Sequence, residues 1–460
     1  MENITQKYIK QILNTNFEDF SEKTIEETKK AILDTVACMI AGVQSPVGKT
    51  AIKVLAELGG TEEATVIGYG KKLPAPIAAY ITGQCCVGPD LSDNYQPESI
   101  IISHPGEAVI PAVLALGEKI GASLEDIFVA IILGYETDGR YALAIEPRRP
   151  EVYNFSTHYT LGAAAGCIKL LKLNEEEAIN ALGIAGTLAP LPVTMPMWGF
   201  RERPASWHRD MPGHANFAAV MACLFAQTEF KGTHLLLEED TKYYKIAGSD
   251  NYHPEALFKN FGEKYIIDAI TYKTIPSCYF NQPCIEATRL IMEENNLDIN
   301  DVQKIEIYAP TNLAKNFIYY PPRTSVDTAS SVKYLTAMYI MTKKPGPDWY
   351  LNFEKYLKMN SYQNIAGKIQ VLEDTELQKI LEEQEKVLGK VKISTGKQEY
   401  KKIVERVKGN AHNPYSLKDI EDKFILLSEP VIGKEKAEKI VEKIKAFNRS
   451  ENISNIFSGL

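Results

Sequence analysis

The chain has 460 residues, 45% hydrophobic and 24% charged, with a formal net charge of −8 and a pI near 5.6. That length suits two or three domains with a sizeable core, and the acidic balance excludes a broad basic surface for nucleic acid. The longest apolar runs, such as 127–133, are too short to span a bilayer, and the first residues lack the basic-then-apolar order of a secretory signal, so a soluble cytoplasmic protein with no membrane partner is expected. From residue 1 to about 265 the chain reads as helix after helix. Ile25, Ile32, Val36 and Met39 fall at helical spacing and Gly42 closes that run. Ser123 and Asp126 form a capping-box variant ahead of an apolar helix over 127–135, and Asn174 with Glu177 does the same for 178–185. Small residues gather in 162–166, 183–186 and 215–226, which predicts central helices whose axes approach closely.

Near residue 265 the period changes. Residues 302–308 alternate apolar and polar as a half-buried strand does. Residues 390–395, the turn Gly396-Lys397 and residues 398–404 read as a hairpin. Two helical patterns accompany these strands, 284–294 before the first and 328–342 between it and the hairpin. After Gly409 helices return, with a capping box at Ser416 and Asp419 and an amphipathic stripe over 437–447. The expected fold is mostly α: a large all-helical domain (1–267), a smaller α+β lid domain (268–405), and C-terminal helices (406–460) that pack back on the first domain.

Seven scattered cysteines with mostly apolar neighbours suggest reduced, buried thiols, and neither a CxxC pair nor an HExxH motif offers metal-ligand spacing. The chemistry gathers elsewhere. Asp90-Leu-Ser-Asp-Asn94 is followed by His104-Pro-Gly106 and an apolar run, so carboxylates, an amide and an imidazole crowd a loop at a helix N-terminus. Unpaired backbone N–H groups there suit an anion; the plainer alternative is a helix capped by an aspartate.

Five segments, in order, resemble the MmgE/PrpD family of 2-methylcitrate dehydratases, cis-aconitate decarboxylases and epimerases. Residues 33–42 are similar to its first helix, and Asp90–Asn94 with His104-Pro-Gly106 to its "DFDDT…HP" loop. Residues 161–171 with 181–186 resemble its central helices, Lys273-Thr-Ile-Pro276 its "K-x-x-P" segment, and Lys408–Pro414 its "KG…NP" turn. The resemblance implies a helical domain with an α+β lid, a homodimer, neither metal nor organic cofactor, and a di- or tricarboxylate held between the domains. It implies proton removal next to a carboxylate followed by loss of water or CO2.

Carried over residue by residue, Asp90 is a base or orients one, His104 is an acid–base group, and Lys273 neutralises a substrate carboxylate. His208 stands where relatives place Lys in a "K-x-x-H-x-G" run and serves as acid or base. Asn94 replaces a Thr and still offers hydrogen bonds. Ser92 replaces the middle acid of the loop, so one negative charge is missing, and the stretch 95–103 is longer than usual. Tyr153 falls near a family histidine, with His158 close by, and Arg201, Arg203 and Arg209 offer guanidinium forks for carboxylates. Tyr319 and Tyr320 are candidates to reach the cleft from the lid. The expected activity is a cofactor-independent lyase, with a hydro-lyase of the 2-methylcitrate dehydratase type ahead of a cis-aconitate-type decarboxylase. Epimerisation or isomerisation of a dicarboxylate comes third, and the second class is a non-catalytic carboxylate binder.

Overall fold

Ser21 starts the first long helix: its hydroxyl accepts from the Thr24 N–H at 3.1 Å, and the helix runs from Glu22 to Gly42. The computed structural model describes the chain except residues 1, 98–99, 154, 195–203, 205–210, 312–313, 315–319 and 458. Among the described residues the N-terminal half is built on α1 (Ile4–Asn14), α2 (Glu22–Gly42), α3 (Pro46–Leu55), α4 (Ala75–Val87), α5 (Pro105–Ile120), α6 (Leu124–Ala144), α7 (Phe155–Leu170), α8 (Glu175–Leu188) and α9 (Pro212–Ala226). The Asn174–Glu177 capping box forms reciprocally at 2.9 and 3.0 Å. No single helix among the described residues is long and apolar enough to cross a membrane.

The apolar pattern predicts α6 only over 127–135, whereas the helix spans Leu124–Ala144. Its second half carries polar residues that are nevertheless buried. Glu136 and Arg140 pair with each other, and Arg140 also donates to the Lys259 carbonyl at 2.6 Å. Satisfied polar groups inside a core break the periodicity that marks a helix. The small-residue segments do allow close packing. A Cβ on Gly162 would sit 2.6 Å from the Asp138 Cβ and 2.9 Å from the Gly134 carbonyl oxygen, so α7 lies backbone-to-backbone on α6.

In the second half, Val302–Pro310 is the hub of a four-stranded sheet, parallel to Ile369–Asp374 and antiparallel to Gly389–Thr395. Glu399–Val404 completes the hairpin at the edge. The helix predicted over 328–342 is two pieces, Ser325–Thr328 and Val332–Thr342, because the Ser331 hydroxyl caps the second by accepting from the Tyr334 N–H. The buried side chains form two cores. One draws on residues 8–272 and again on 420–460; the other lies within 275–407. The helix Leu417–Ile432 runs along α2 and sends Ile420, Phe424 and Leu427 into the first core. None of the seven cysteines forms a disulfide, and all are buried.

Candidate active site

The loop after α4 begins with a backbone constraint. Asp90 has φ 51°, the left-handed region, which aspartate tolerates better than most side chains. There its Oδ1 accepts from the Lys273 ammonium at 2.7 Å, and the lysine side chain is only 1% exposed. Lys273 follows the short strand Ile270–Thr271, which pairs antiparallel with Asn94–Tyr95. That pairing fixes the lysine beside the loop.

His104 occupies the position before α5, and its Nδ1 lies 2.8 Å from the Asp93 carbonyl oxygen. A carbonyl only accepts, so Nδ1 carries hydrogen and Nε2 holds the lone pair of the neutral ring. The same aspartate caps the helix. Its Oδ1 accepts from the Gly106 N–H and its Oδ2 from the Tyr135 hydroxyl, both at 2.9 Å. Burial, reinforced by the charge of Asp34, pushes the Asp93 carboxyl up to about 7. Gly106 is required by space: a Cβ there would lie 2.3 Å from the Thr35 Oγ1 and 2.8 Å from the Asp93 Oδ1. Behind the loop, Lys423 from the C-terminal helix donates to Asp34 at 2.5 Å and to the Leu91 carbonyl at 2.8 Å.

A cavity of about 340 Å³ opens between this loop and the segment 278–280, a volume suited to a small molecule. Asp90, His104, Lys273 and Tyr153 all line it. Phe155 also does, and its ring centroid lies 5.3 Å from both His104 and His158. His158 thus sits one ring behind the wall, fully buried, with Nδ1 2.7 Å from the Asp138 Oδ1. Asn94 is equally buried, and neither polar atom of its side chain has a hydrogen-bond partner among the described residues. Arg201, Arg203, His208, Arg209 and Tyr319 lie outside the described residues. Tyr320 stacks under the Lys333 ammonium at 4.6 Å and is not among the described lining residues.

Among the lining residues that escaped the sequence reading are Arg148, Arg149 and Glu107. Arg148 and Arg149 stand in Glu146-Pro-Arg-Arg-Pro150, where prolines flanking two guanidiniums were a visible signal. Arg148 pairs with Glu146 at 2.5 Å and lies 4.9 Å over the Phe155 ring, whereas Arg149 is held by Asp250 at 2.7 Å. Glu107 is 1% exposed; its carboxylate accepts from the Ser92 hydroxyl at 2.6 Å and from the Tyr159 hydroxyl at 3.1 Å. Its signal was a lone acid opening an apolar helix.

A helical body, an α+β second core and a cavity between them walled by carboxylate, imidazole and ammonium describe a site for proton chemistry on an anion. Comparison with known proteins agrees. The MmgE/PrpD N-terminal domain matches residues 7–255 and the MmgE/PrpD C-terminal domain matches residues 275–448, so the chain belongs to the MmgE/PrpD family. It is 23% identical over 380 residues to a cis-aconitate decarboxylase of Aspergillus terreus, covering 77% of this chain and 75% of that protein. It is 24% identical over 287 residues to a cis-aconitate decarboxylase of Homo sapiens, covering 60% of this chain and 57% of the other.

Proposed function

We propose that this protein is a lyase that removes water from a small hydroxylated di- or tricarboxylate, a reaction of the 2-methylcitrate dehydratase type. The observation that carries the reading is the cavity wall that joins the Asp90–Lys273 pair to the Nδ1-anchored His104. Breaking a C–H bond beside a carboxylate builds negative charge, and the Lys273 ammonium is one cation of the wall that can meet it. Dehydration moves two protons, one off carbon and one onto the departing hydroxyl. The wall offers more than one group for that work: the His104 Nε2 and the carboxylates of Asp90 and Glu107.

Loss of CO2 is the second reading, supported by the names of the similar proteins from Aspergillus terreus and Homo sapiens. It needs a single proton returned to carbon. In either reaction His208 joins Asp90, His104 and Lys273 as a catalytic group, while Tyr153, Arg201, Arg203 and Arg209 contact substrate. Asn94 and His158, read from the sequence as substrate contacts, are fully buried and do not line the cavity, so they act from behind its wall. The chain works in three parts, 1–267, 268–405 and 406–460, as a cytoplasmic homodimer. NMR of the protein in D2O with citrate, 2-methylcitrate, cis-aconitate and malate tests the proposal. New alkene signals from a hydroxy acid support dehydration, CO2 from cis-aconitate moves the assignment to decarboxylation, and inversion without change of mass to epimerisation. Binding without any exchange of a proton next to a carboxylate would sink the enzyme reading. Light scattering tests the dimer.

A further inference from the structure

Two arginines stand side by side on the cavity wall, and the fold treats them differently. Both belong to Glu146-Pro-Arg-Arg-Pro150. The segment is fixed along residues 248–251. The Arg149 N–H donates to the Gly248 carbonyl at 2.9 Å, and the Pro147 carbonyl accepts from the Ser249 hydroxyl at 2.9 Å and the Asn251 amide at 3.2 Å. Arg149 then forks onto Asp250, through Nε at 3.0 Å and Nη2 at 2.7 Å. A two-point carboxylate match of this kind is the strongest a guanidinium makes, so Arg149 is spoken for.

Arg148 is held by its surroundings instead of by one fork. Its Nη2 donates to the Ile101 carbonyl at 3.1 Å, its Nε lies 2.5 Å from the Glu146 carboxylate, and its guanidinium carbon lies 4.9 Å from the centroid of the Phe155 ring. The three contacts come from the stretch ahead of His104, from the arginine's own segment and from the start of α7. The side chain is 16% exposed and lines the cavity. A guanidinium fixed by a carbonyl, an acid and an aromatic face has given up its rotamer freedom before a ligand arrives. Its several N–H groups let it serve the wall and a carboxylate together. The Phe155 ring also meets His104, with centroids 5.3 Å apart, so guanidinium and imidazole are set against one ring.

We propose that Arg148 binds a substrate carboxylate other than the one beside the reacting carbon, and so gives the site its preference for acids with two or more carboxylates. This rests on the lyase reading above. Asp90, His104 and Lys273 serve the reacting end, and a di- or tricarboxylate brings at least one further carboxylate to be placed. Glu146 is the internal competitor: it orients Arg148 and repels the ligand. Removing the arginine therefore weakens binding, whereas removing the charge of Glu146 tightens it.

The test uses the full chain as wild type, Arg148→Met, Arg148→Lys, Arg149→Met and Glu146→Gln, each checked by circular dichroism. Binding is measured by calorimetry with tricarballylate, an inert tricarboxylate, and with butyrate, the same carbon chain bearing one carboxylate. Turnover is measured on whichever acid the D2O screen identifies. Arg148→Met is expected to weaken tricarballylate binding about 10- to 100-fold and to raise KM by a similar factor, with kcat changed less than about fivefold. Its preference for tricarballylate over butyrate shrinks by the same factor. Arg148→Lys recovers part of the loss, Arg149→Met loses at least about fivefold less, and Glu146→Gln binds about threefold more tightly or better. A role in the fold alone predicts weaker binding in both Arg148→Met and Glu146→Gln, since each breaks the same pair.

A folded Arg148→Met that binds tricarballylate within threefold of wild type overturns the assignment. So does an equal loss for both acids, an equal loss in Arg149→Met, or binding by Glu146→Gln no tighter than wild type. If Arg148→Met does not fold, Arg148→Lys and Glu146→Gln decide by the same signs. A wild type that binds neither tricarballylate nor any acid of the screen sinks the carboxylate reading itself, and Arg148 with it.

Discussion

Lys273 and Asp90 stand 183 residues apart in sequence and 2.7 Å apart in space, joined in the wall of the cavity. The lysine side chain is 1% exposed and the aspartate 13%, so the pair is largely desolvated. Removing one member of such a pair leaves the other uncompensated, at a typical cost of about 3 kcal/mol or more. Lys273→Met is therefore expected to lower Tm clearly and to weaken carboxylate binding more than tenfold. Asp90→Asn/Lys273→Met should regain much of the stability and none of the turnover. Thermal denaturation and calorimetric titration check this, and a single variant with unchanged Tm and affinity would remove Lys273 from the site.

His104 is tied to the backbone through Nδ1, which fixes its ring at the cavity wall. A positioned acid–base group contributes roughly 10²- to 10⁴-fold in rate. His104→Ala is expected to lose that factor in kcat. The helix behind it should persist, because Pro105 is preset for the first helical position and Asp93 still caps it. Turnover within tenfold of wild type, with intact circular dichroism, would rule out the role.

The loop motif was legible in the chain because acid, imidazole and a helix start lie within seventeen residues, Asp90 to Gly106. Lys273 was legible through its Ile-Pro neighbours and the family resemblance. What escaped depends on long-range packing. Glu107 looks like a helix-opening acid until Ser92 and Tyr159 are brought to it. Arg148 looks like surface charge until the Phe155 ring lies beneath it. Asp93 was read only as part of a motif. Its service as helix cap, tyrosine acceptor and anchor of His104 needs three elements folded together. The same limit shortened α6, where buried Glu136 and Arg140 interrupt the apolar stripe.

The Asp93 carboxyl titrates near 7 in the fold, raised first by burial, against about 3.9 in an unfolded chain. Between those values the folded state holds a proton that the unfolded state has lost, so this group makes stability fall as pH rises. The window runs from about pH 4 to pH 7. Asp93→Asn keeps the acceptor for Gly106 and removes the titration. Wild type is expected to lose roughly 3 kcal/mol more stability than Asp93→Asn between pH 5 and pH 8. Urea denaturation at the two pH values measures it. Parallel losses in the two proteins would mean that Asp93 stays ionised throughout.

Lys423 links the end of the chain to the active loop. Its ammonium meets Asp34 on α2 and the Leu91 carbonyl, one residue past Asp90, and both side chains of the ion pair are buried. Burial pushes the Asp34 carboxyl up while Lys423 pulls it down, so the lysine is what keeps that charge tolerable. Lys423→Met should cost about 3–5 kcal/mol, since it strands a buried carboxylate. Asp34→Asn/Lys423→Met removes both charges and should recover most of that loss. The Leu91 carbonyl remains without its ammonium in either variant. Turnover should therefore stay depressed in the double variant even where Tm recovers, with kcat affected more than substrate affinity. If Tm and kcat recover together, the ion pair serves the fold alone, and the loop holds its geometry without the C-terminal helix.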